Sequence, residues 1–461
     1  MLSKNFEENN QKITDTLGIG KNFDVLYKPI SIDGVQGGLY FIDGFVEEAI
    51  LEKLLEYFHN LKKEDLPESS ESLIETIVPY VEVSLIKTQK EAIQNILSGV
   101  TAFFIDGYDV CIGLDCRSYP ARSVEEPSKD KTLRGSRDGF VETIVFNTAL
   151  IRRRIRSSNL AMEIYTVGES SKTDVVFCYM KNRVDATFLK KMQEKIKNIR
   201  RDALTMNQES LAESIYAGRW YNPFPKFKYT ERPDTAAASI LEGNLIILVD
   251  NAPQVMIVPT SLFDIMDEAD DYYFPPITGS YLKLSRFLIG IVTLFLTPVF
   301  LLLIENPQWI PRELEFIIIT DTIHVPIVWQ FLILELAIDG LKLAAINTPN
   351  MLTTPLSVVA GIVLGQFSVD SGWFNSEVML YMAFVAIANY TQSNFELGYA
   401  LKFMRILLLL TTSVFGIWGF GIGTIAICMI MATNKSVSGN MYLYPLIPFQ
   451  YKELRKRLFR S

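Results

Sequence analysis

The chain has 461 residues, 49% of them hydrophobic, and its 44 Lys and Arg against 52 Asp and Glu leave a net charge of −8. That length allows two or three domains, and the acidic balance argues against a protein broadly built to hold nucleic acid. Four cysteines cannot staple so long a chain, and two histidines without CxxC or HExxH spacing argue against a zinc site. Cys111, Cys116, Cys178 and Cys428 all read as buried thiols.

Strand-like and helix-like patterns alternate over residues 1–280. Gly38 to Asp43 is a strand candidate, and Val46 to Leu61 carries apolar residues at helical spacing. After Leu97-Ser98-Gly99 come VTAFFI, an Asp106-Gly107 turn and YDVCIGL, the pattern of a β-hairpin. The order then recurs. Asp174 to Met180 reads as a strand and Asp185 to Ile199 as a helix. Leu241-Glu242-Gly243 leads into NLIILV, a turn at Asp250-Asn251 and QVMIVP. Both hairpins share L-x-G followed seven residues on by Asp, which suggests a degenerate duplication, although turns of this chemistry are frequent in unrelated hairpins. The expected soluble region is therefore α+β, built of two related α/β subdomains. These cover residues 1–118 and 159–280, with a polar linker and an Arg-rich helix over 119–158.

That helix reads GFVETIVFNTALIRRRIR. Phe140, Ile144, Thr148 and Ile151 share one face, and Arg152, Arg153, Arg154 and Arg156 crowd the C-terminal end, where cations oppose the helix dipole. Three roles are open to these arginines: anionic lipid headgroups, an acidic face of a neighbouring subunit, or salt bridges within the domain. No interleaved aromatics accompany them, so nucleic acid is not expected. Asn222-Pro223-Phe224-Pro225 reads as a turn and packing element.

The second half is apolar. Phe287 to Ile304 is an uncharged run of spanning length, and Pro298 within it is tolerable in a membrane helix. Ile406 to Met431 is a second such run, able to cross with tilt or to bend back at the glycines of residues 419–423. Shorter runs at Pro326–Ala345, Pro355–Val369 and Val378–Thr391 bring the expected total to four to six membrane segments. The expected architecture is an all-α polytopic membrane domain over 281–435 with a basic tail over 436–461. Lys283 and Arg286 before the first span, and the basic tail, place both ends on the cytoplasmic side. Lys402 and Arg405 conflict with that unless the last run is a hairpin.

Within WQFLILELAIDGLKLAAI, spacings of four and three put Glu335, Asp339 and Lys342 on one helical face. Charges at bilayer depth face water or one another. The face is thus a candidate ion route, or else an internal Asp339–Lys342 or Glu335–Lys342 pair. Val358 and Leu364, on a row of small and apolar residues, are candidate gate or pore-facing positions. No nucleophile–base set suggests an enzyme, and neither a cofactor nor a metal is expected.

RSYPARSVEEPSKDKTLRGSRDGFVETIVFNTALIRRRIR resembles the signature of the GerA family of spore germination proteins, A-subunit type. TERPDTAAASILEGNLIILVDNAPQVMIVPTSLF is similar to the family's second soluble signature. Asn222-Pro223-Phe224-Pro225, Asp234-Thr235-Ala236-Ala237 and INTPNMLTTPLSVVAGIVLGQFSVDSG resemble the stage V sporulation protein AF branch of that family. The Pro-rich pattern of ordinary nutrient-receptor A subunits is absent near Thr348 to Pro355. The resemblance implies a protein of the spore inner membrane, with its N-terminal region and C-terminal tail on the core side. It implies partners in the lipid bilayer, other germination membrane proteins, monovalent cations and further copies of itself, as a pentameric ring. The expected function is an oligomeric cation channel, or channel subunit, that amplifies ion release from the spore core. A ring would set Glu335 and Asp339 around one axis, a common device for selecting cations. The rival expectations are a non-conducting scaffold that clusters germination proteins, and a secondary transporter.

Overall fold

A computed structural model describes residues 2–67, 69–70, 72–73, 78, 82–118, 135–216, 222–347, 358–392 and 394–459. Most of the expected linker, Tyr119 to Arg137, lies outside the described residues. The chain divides into two compact units, residues 1–218 with 227–259, and residues 219–226 with 260–461. The division therefore falls at 259/260 rather than at the expected 280. The short helices Leu262–Met266 and Asp270–Tyr273 pack with the membrane-type helices, as the contacts below explain.

The first unit repeats one motif twice. Its first half runs α1 (Phe6–Leu17), β1 (Val25–Ile32), β2 (Val35–Ile42), α2 (Glu48–Asn60), β3 (Val83–Ile86), α3 (Gln89–Leu97), β4 (Thr101–Ile105) and β5 (Cys111–Leu114). After α4 (Ile144–Arg154) the second half runs β6 (Leu160–Val167), β7 (Thr173–Met180), α5 (Ala186–Lys197), α6 (Asn207–Ile215), β8 (Lys228–Thr230), α7 (Pro233–Glu242), β9 (Leu245–Val249) and β10 (Val255–Val258). The two five-stranded sheets have the orders β1-β2-β4-β5-β3 and β6-β7-β9-β10-β8, the same order with each number raised by five. Every neighbouring pair is antiparallel.

Local chemistry sets the element ends. Asn5 caps α1 by accepting from Glu8 N at 3.2 Å, and Asp185 caps α5 through the Thr187 and Phe188 amides. The β4–β5 turn uses Gly107 at φ 93°, and the β9–β10 turn uses Asn251 at φ 61°, as left-handed turn positions demand. Both hairpins lie where their turn chemistry predicts. All five β4 residues are buried because helices cover both faces. Ala102 and Phe104 pack with Phe6, Ile13 and Ile96 of α1 and α3, while Phe103 and Ile105 pack with Leu54 and Phe58 of α2. A strand buried on both sides loses its alternation and reads as one apolar run.

The second unit is helical. Its long elements are α8 (Pro276–Glu305), α9 (Ile327–Asn347), α10 (Val358–Asp370), α11 (Ser376–Tyr390) and α12 (Phe395–Thr433), followed by the short basic α13 (Tyr451–Leu458). Among the described residues, α8 and α12 are long and apolar enough to cross a membrane. α8 carries Pro298 inside it, as expected. α12 is not one rod. Gly416 sits at φ 54°, ψ −135°, outside the helical region. An ideal Cβ on Gly423 would lie 2.7 Å from Thr411 Oγ1 and 2.8 Å from the Leu408 side chain. In a straight helix residues 408 and 423 would be about 22 Å apart. The chain therefore folds back at Gly416 into a helical hairpin. The reversal lies three residues before the expected glycine run, whose Gly419 and Gly423 instead let the two arms close together.

Candidate functional site

The helical unit buries a cluster of opposite charges. On α9, Glu335 and Asp339 stand one turn apart; on the first arm of α12, Lys402 and Arg405 do the same. Arg405 Nε donates to Glu335 Oε1 at 2.8 Å, its Nη2 donates to the same oxygen, and its Nη1 reaches Thr293 O of α8 at 3.4 Å. Lys402 Nζ lies 3.3 Å from Glu335 Oε2, donates to Glu335 O at 3.1 Å, and donates to Asp339 Oδ2. Glu335, Lys402 and Arg405 are 6%, 5% and 2% exposed. Two acids and two bases balance to zero, which is how buried charge is tolerated at low dielectric.

The pairings also set helix directions. Glu335 meets Arg405 and Asp339 meets Lys402, so α9 and the first arm of α12 are antiparallel. Gly290 lies near Leu401 and Thr293 near Arg405, so α8 runs with that arm. Gln330 bonds Asn375, and Lys342 lies near Tyr390, so α9 and α11 run together. Glu335 and Arg405 each fall near the middle of their helices, at one depth in the bundle.

This geometry corrects the expected ion route. Glu335 is tied within one chain to Arg405 and Lys402, so it offers no hydrated carboxylate to a passage. Asp339 is partly exposed and shares Lys402, although its Oδ1 is buried without a hydrogen-bond partner. Neither carboxylate pairs with Lys342, whose Nζ instead sits 5.0 Å and 5.7 Å from the ring centres of Tyr390 and Tyr399. The physical reason is distance along the chain. Local spacing showed which residues share a face, but not that a helix more than sixty residues later carries two complementary bases. The signal was present, since Lys402 and Arg405 are themselves one turn apart inside an apolar run.

For the arginine cluster the structure selects, at Arg152 and Arg154, the third of the expected roles, salt bridges within the domain, over lipid or a neighbouring subunit. Arg152 is 0% exposed. Its Nε donates to Asp24 Oδ2 at 2.8 Å and its Nη2 to Asp24 Oδ1 at 3.1 Å, with further bonds to the carbonyls of Ser157 and Leu160. It clasps α4 to the first half of the repeat and cannot meet a headgroup or another subunit. Arg154 is paired with Asp138, whose carboxyl is held below its usual range, although burial opposes this, because Arg154 and then Ser136 hydrogen-bond it. Arg153 and Arg156 are exposed. Of the gate candidates, Val358 is 56% exposed on α10. The side chain of Leu364 lies outside the described residues.

At the start of α8, the positive residues that suggested orientation are already paired. Arg286 donates to Asp271 and to Met266 O, Lys283 lies 2.7 Å from Asp267, and Arg457 of α13 pairs with Asp264. These contacts place the short helices after residue 260 in the helical unit. Three cysteines are buried as expected, but Cys428 is exposed on the second arm of α12.

A duplicated α+β region followed by apolar helices, two of them long enough to cross a membrane and one pair tied by neutralised charges, marks the class of a membrane protein. The chain belongs to the Bacillus/Clostridium GerA spore germination protein family, whose sequence model matches residues 11–461. It is 37% identical to stage V sporulation protein AF of Bacillus subtilis (strain 168), over 99% of this chain and 93% of that one. It is 29% identical to the uncharacterized membrane protein YfkQ and 26% identical to spore germination protein KA, both of the same organism. Each match covers all of this chain, with 90% and 84% of those proteins. The N-terminal domain of the A subunit of the Bacillus megaterium spore germinant receptor GerK3 aligns at 24% identity with a TM-score of 0.42. That alignment covers 56% of this chain and 95% of the domain.

Proposed function

We propose that the protein assembles with further copies into a cation channel of the spore inner membrane, and that α10, not the Glu335 face, lines the path. The observation that carries this is the free surface of α10. Val358, Val359, Ile362, Val363 and Phe367 are all exposed. Gly361 and Gly365 have nothing within 4 Å of where a Cβ would stand, and Gln366 and Asp370 are also exposed. An apolar helix with bare glycines one turn apart suits close packing against another helix. Gln366 and Asp370 are costly against lipid and are satisfied on a water-filled path, where Asp370 would draw cations. Val358 and, by its place in the sequence, Leu364 are then the gate positions.

The helix directions support six crossings: α8, α9, α10, α11 and the two arms of α12. An even number puts Lys283, Arg286 and the tail with Lys452, Arg455 and Lys456 on one side, the core side. The hairpin removes the conflict raised by Lys402 and Arg405, which are paired inside the bundle. Arg153 and Arg156 remain candidates for contact with lipid or another subunit.

The test is full-length protein in planar bilayers, with oligomer size measured in parallel. Wild type should pass potassium, and Val358→Trp should cut conductance about tenfold or more with oligomer size unchanged. Stable oligomers that pass no current under any trigger would leave the scaffold reading in its place.

A further inference from the structure

The chain leaving α12 turns back on itself. Lys435 and Met441 form an antiparallel bridge, Ser436 N donates to Asn440 O at 2.8 Å, and Tyr442 N donates to Asn434 O at 3.0 Å. Residues opposite one another in such a pairing, and residues two apart on one strand, share a face. Asn434, Ser436 and Tyr442 therefore point to the same side. They are 4%, 5% and 0% exposed. Asn434 Nδ2, Ser436 Oγ and the Tyr442 hydroxyl each lack a hydrogen-bond partner.

Against this face comes Lys226, itself 9% exposed. Its Nζ donates to Asn434 Oδ1 and to Lys435 O, the latter at 2.7 Å, and lies 5.2 Å from the centre of the Tyr442 ring. Asn222 Nδ2 donates to the same Asn434 oxygen at 2.9 Å, and the Phe224 ring is 6.0 Å from that of Tyr442. The Asn222-Pro223-Phe224-Pro225 segment thus delivers an amide and a lysine to the end of the helical hairpin.

Buried polar atoms without partners are few in folded proteins, and three on one face of one short hairpin call for a cause. All three can donate. The amide nitrogen can only donate, and both hydroxyls can donate. Tyr442 stays a neutral O–H because burial, and after it Glu396, push its phenol up. The ammonium adds positive charge, and burial draws Lys226 down to about 8, so an opposite charge nearby would stabilise it. Donors gathered around a cation select an anion.

We propose that Lys226, Asn434, Ser436 and Tyr442 form an internal site for one small inorganic anion, at the foot of the α12 hairpin. Its burial favours a free ion of chloride or phosphate size over a lipid headgroup. The occupant locks the hairpin end to the 222–226 segment.

The test measures the melting temperature of the full-length protein in detergent at constant ionic strength, with sodium gluconate, chloride or phosphate. Chloride or phosphate should raise it by on the order of 5 °C. Tyr442→Phe and Ser436→Ala should abolish the rise, as should Asn434→Asp, which keeps the shape but adds a negative charge. Equal melting in all three salts, with Tyr442→Phe and Ser436→Ala as stable as wild type or more so, overturns the site, because deleting an unpaired buried hydroxyl relieves a cost. A rise seen only in phosphatidylglycerol nanodiscs, and not with free anions, overturns the inorganic assignment in favour of a headgroup.

Discussion

Arg405 illustrates what one buried charge does here. It holds Glu335 of α9 and touches Thr293 of α8, so three helices meet on one guanidinium. Arg405→Ala leaves a buried carboxylate short of its main partner and should cost about 3–5 kcal/mol of stability. Glu335→Met with Arg405→Met should recover much of that loss, read as thermal unfolding in detergent. Failure of the double variant to recover would mean that the pair does more than neutralise itself. Arg152 occupies an equivalent position in the first unit. Arg152→Ala should also cost about 3–5 kcal/mol, whereas Arg153→Ala on the exposed face should stay within about 0.5 kcal/mol. Lys226 adds a pH signature. Its pKa is depressed to about 8 on folding, so between pH 8 and the usual lysine range the unfolded chain binds more protons and stability rises with pH. Lys226→Met should flatten that rise in melting curves taken from pH 7.5 to 10.

Among the elements, the α12 hairpin depends on a backbone geometry that side chains disfavour. Gly416 at φ 54°, ψ −135° is a conformation close to glycine-only, so Gly416→Ala should cost about 1–3 kcal/mol. Gly423 matters for space. A larger residue there meets Thr411 and Leu408, so Gly423→Leu should push the arms apart and lower the melting temperature. Unchanged melting in both variants would mean that the arms are not closed on one another. The apolar periodicity of residues 406–431 was legible, and so was the possibility of a bend. The position of the bend was not, because five glycines from 398 to 423 all permit it and only packing chooses. Other elements were silent for a similar reason. β1 and β6, each an edge strand, mix exposed and buried residues without strict alternation, so neither stood out before the sheets were assembled.

For the molecule as a whole, the two sheets with one strand order turn a suspected duplication into a repeat of architecture. The hairpin resemblance L-x-G…Asp was its visible trace. The helical unit carries the proposed activity, and the proposal stands apart from the anion site. Loss of current in Val358→Trp tests the path, while the salt dependence of melting tests the hairpin foot. Cysteine labelling of Val358→Cys in sealed spore-membrane vesicles, in a Cys428→Ser background because Cys428 is itself exposed, gives a third check. A water-soluble thiol reagent should reach it only when the conducting state is populated.

Sequence alone determined the fold class, the hairpin turns, the apolar helices and the family, because these are written in local periodicity, turn chemistry and long contiguous motifs. Tertiary structure decided which charges meet. Glu335 and Asp339 read either as an ion route or as partners of Lys342 until a helix more than sixty residues away supplied Lys402 and Arg405. Arg152 was open to lipid, to a neighbouring subunit or to a salt bridge within its domain until Asp24, far earlier in the chain, closed over it. A charge's role depends on its partner and its dielectric surroundings, and both are properties of the folded chain rather than of its neighbours in sequence.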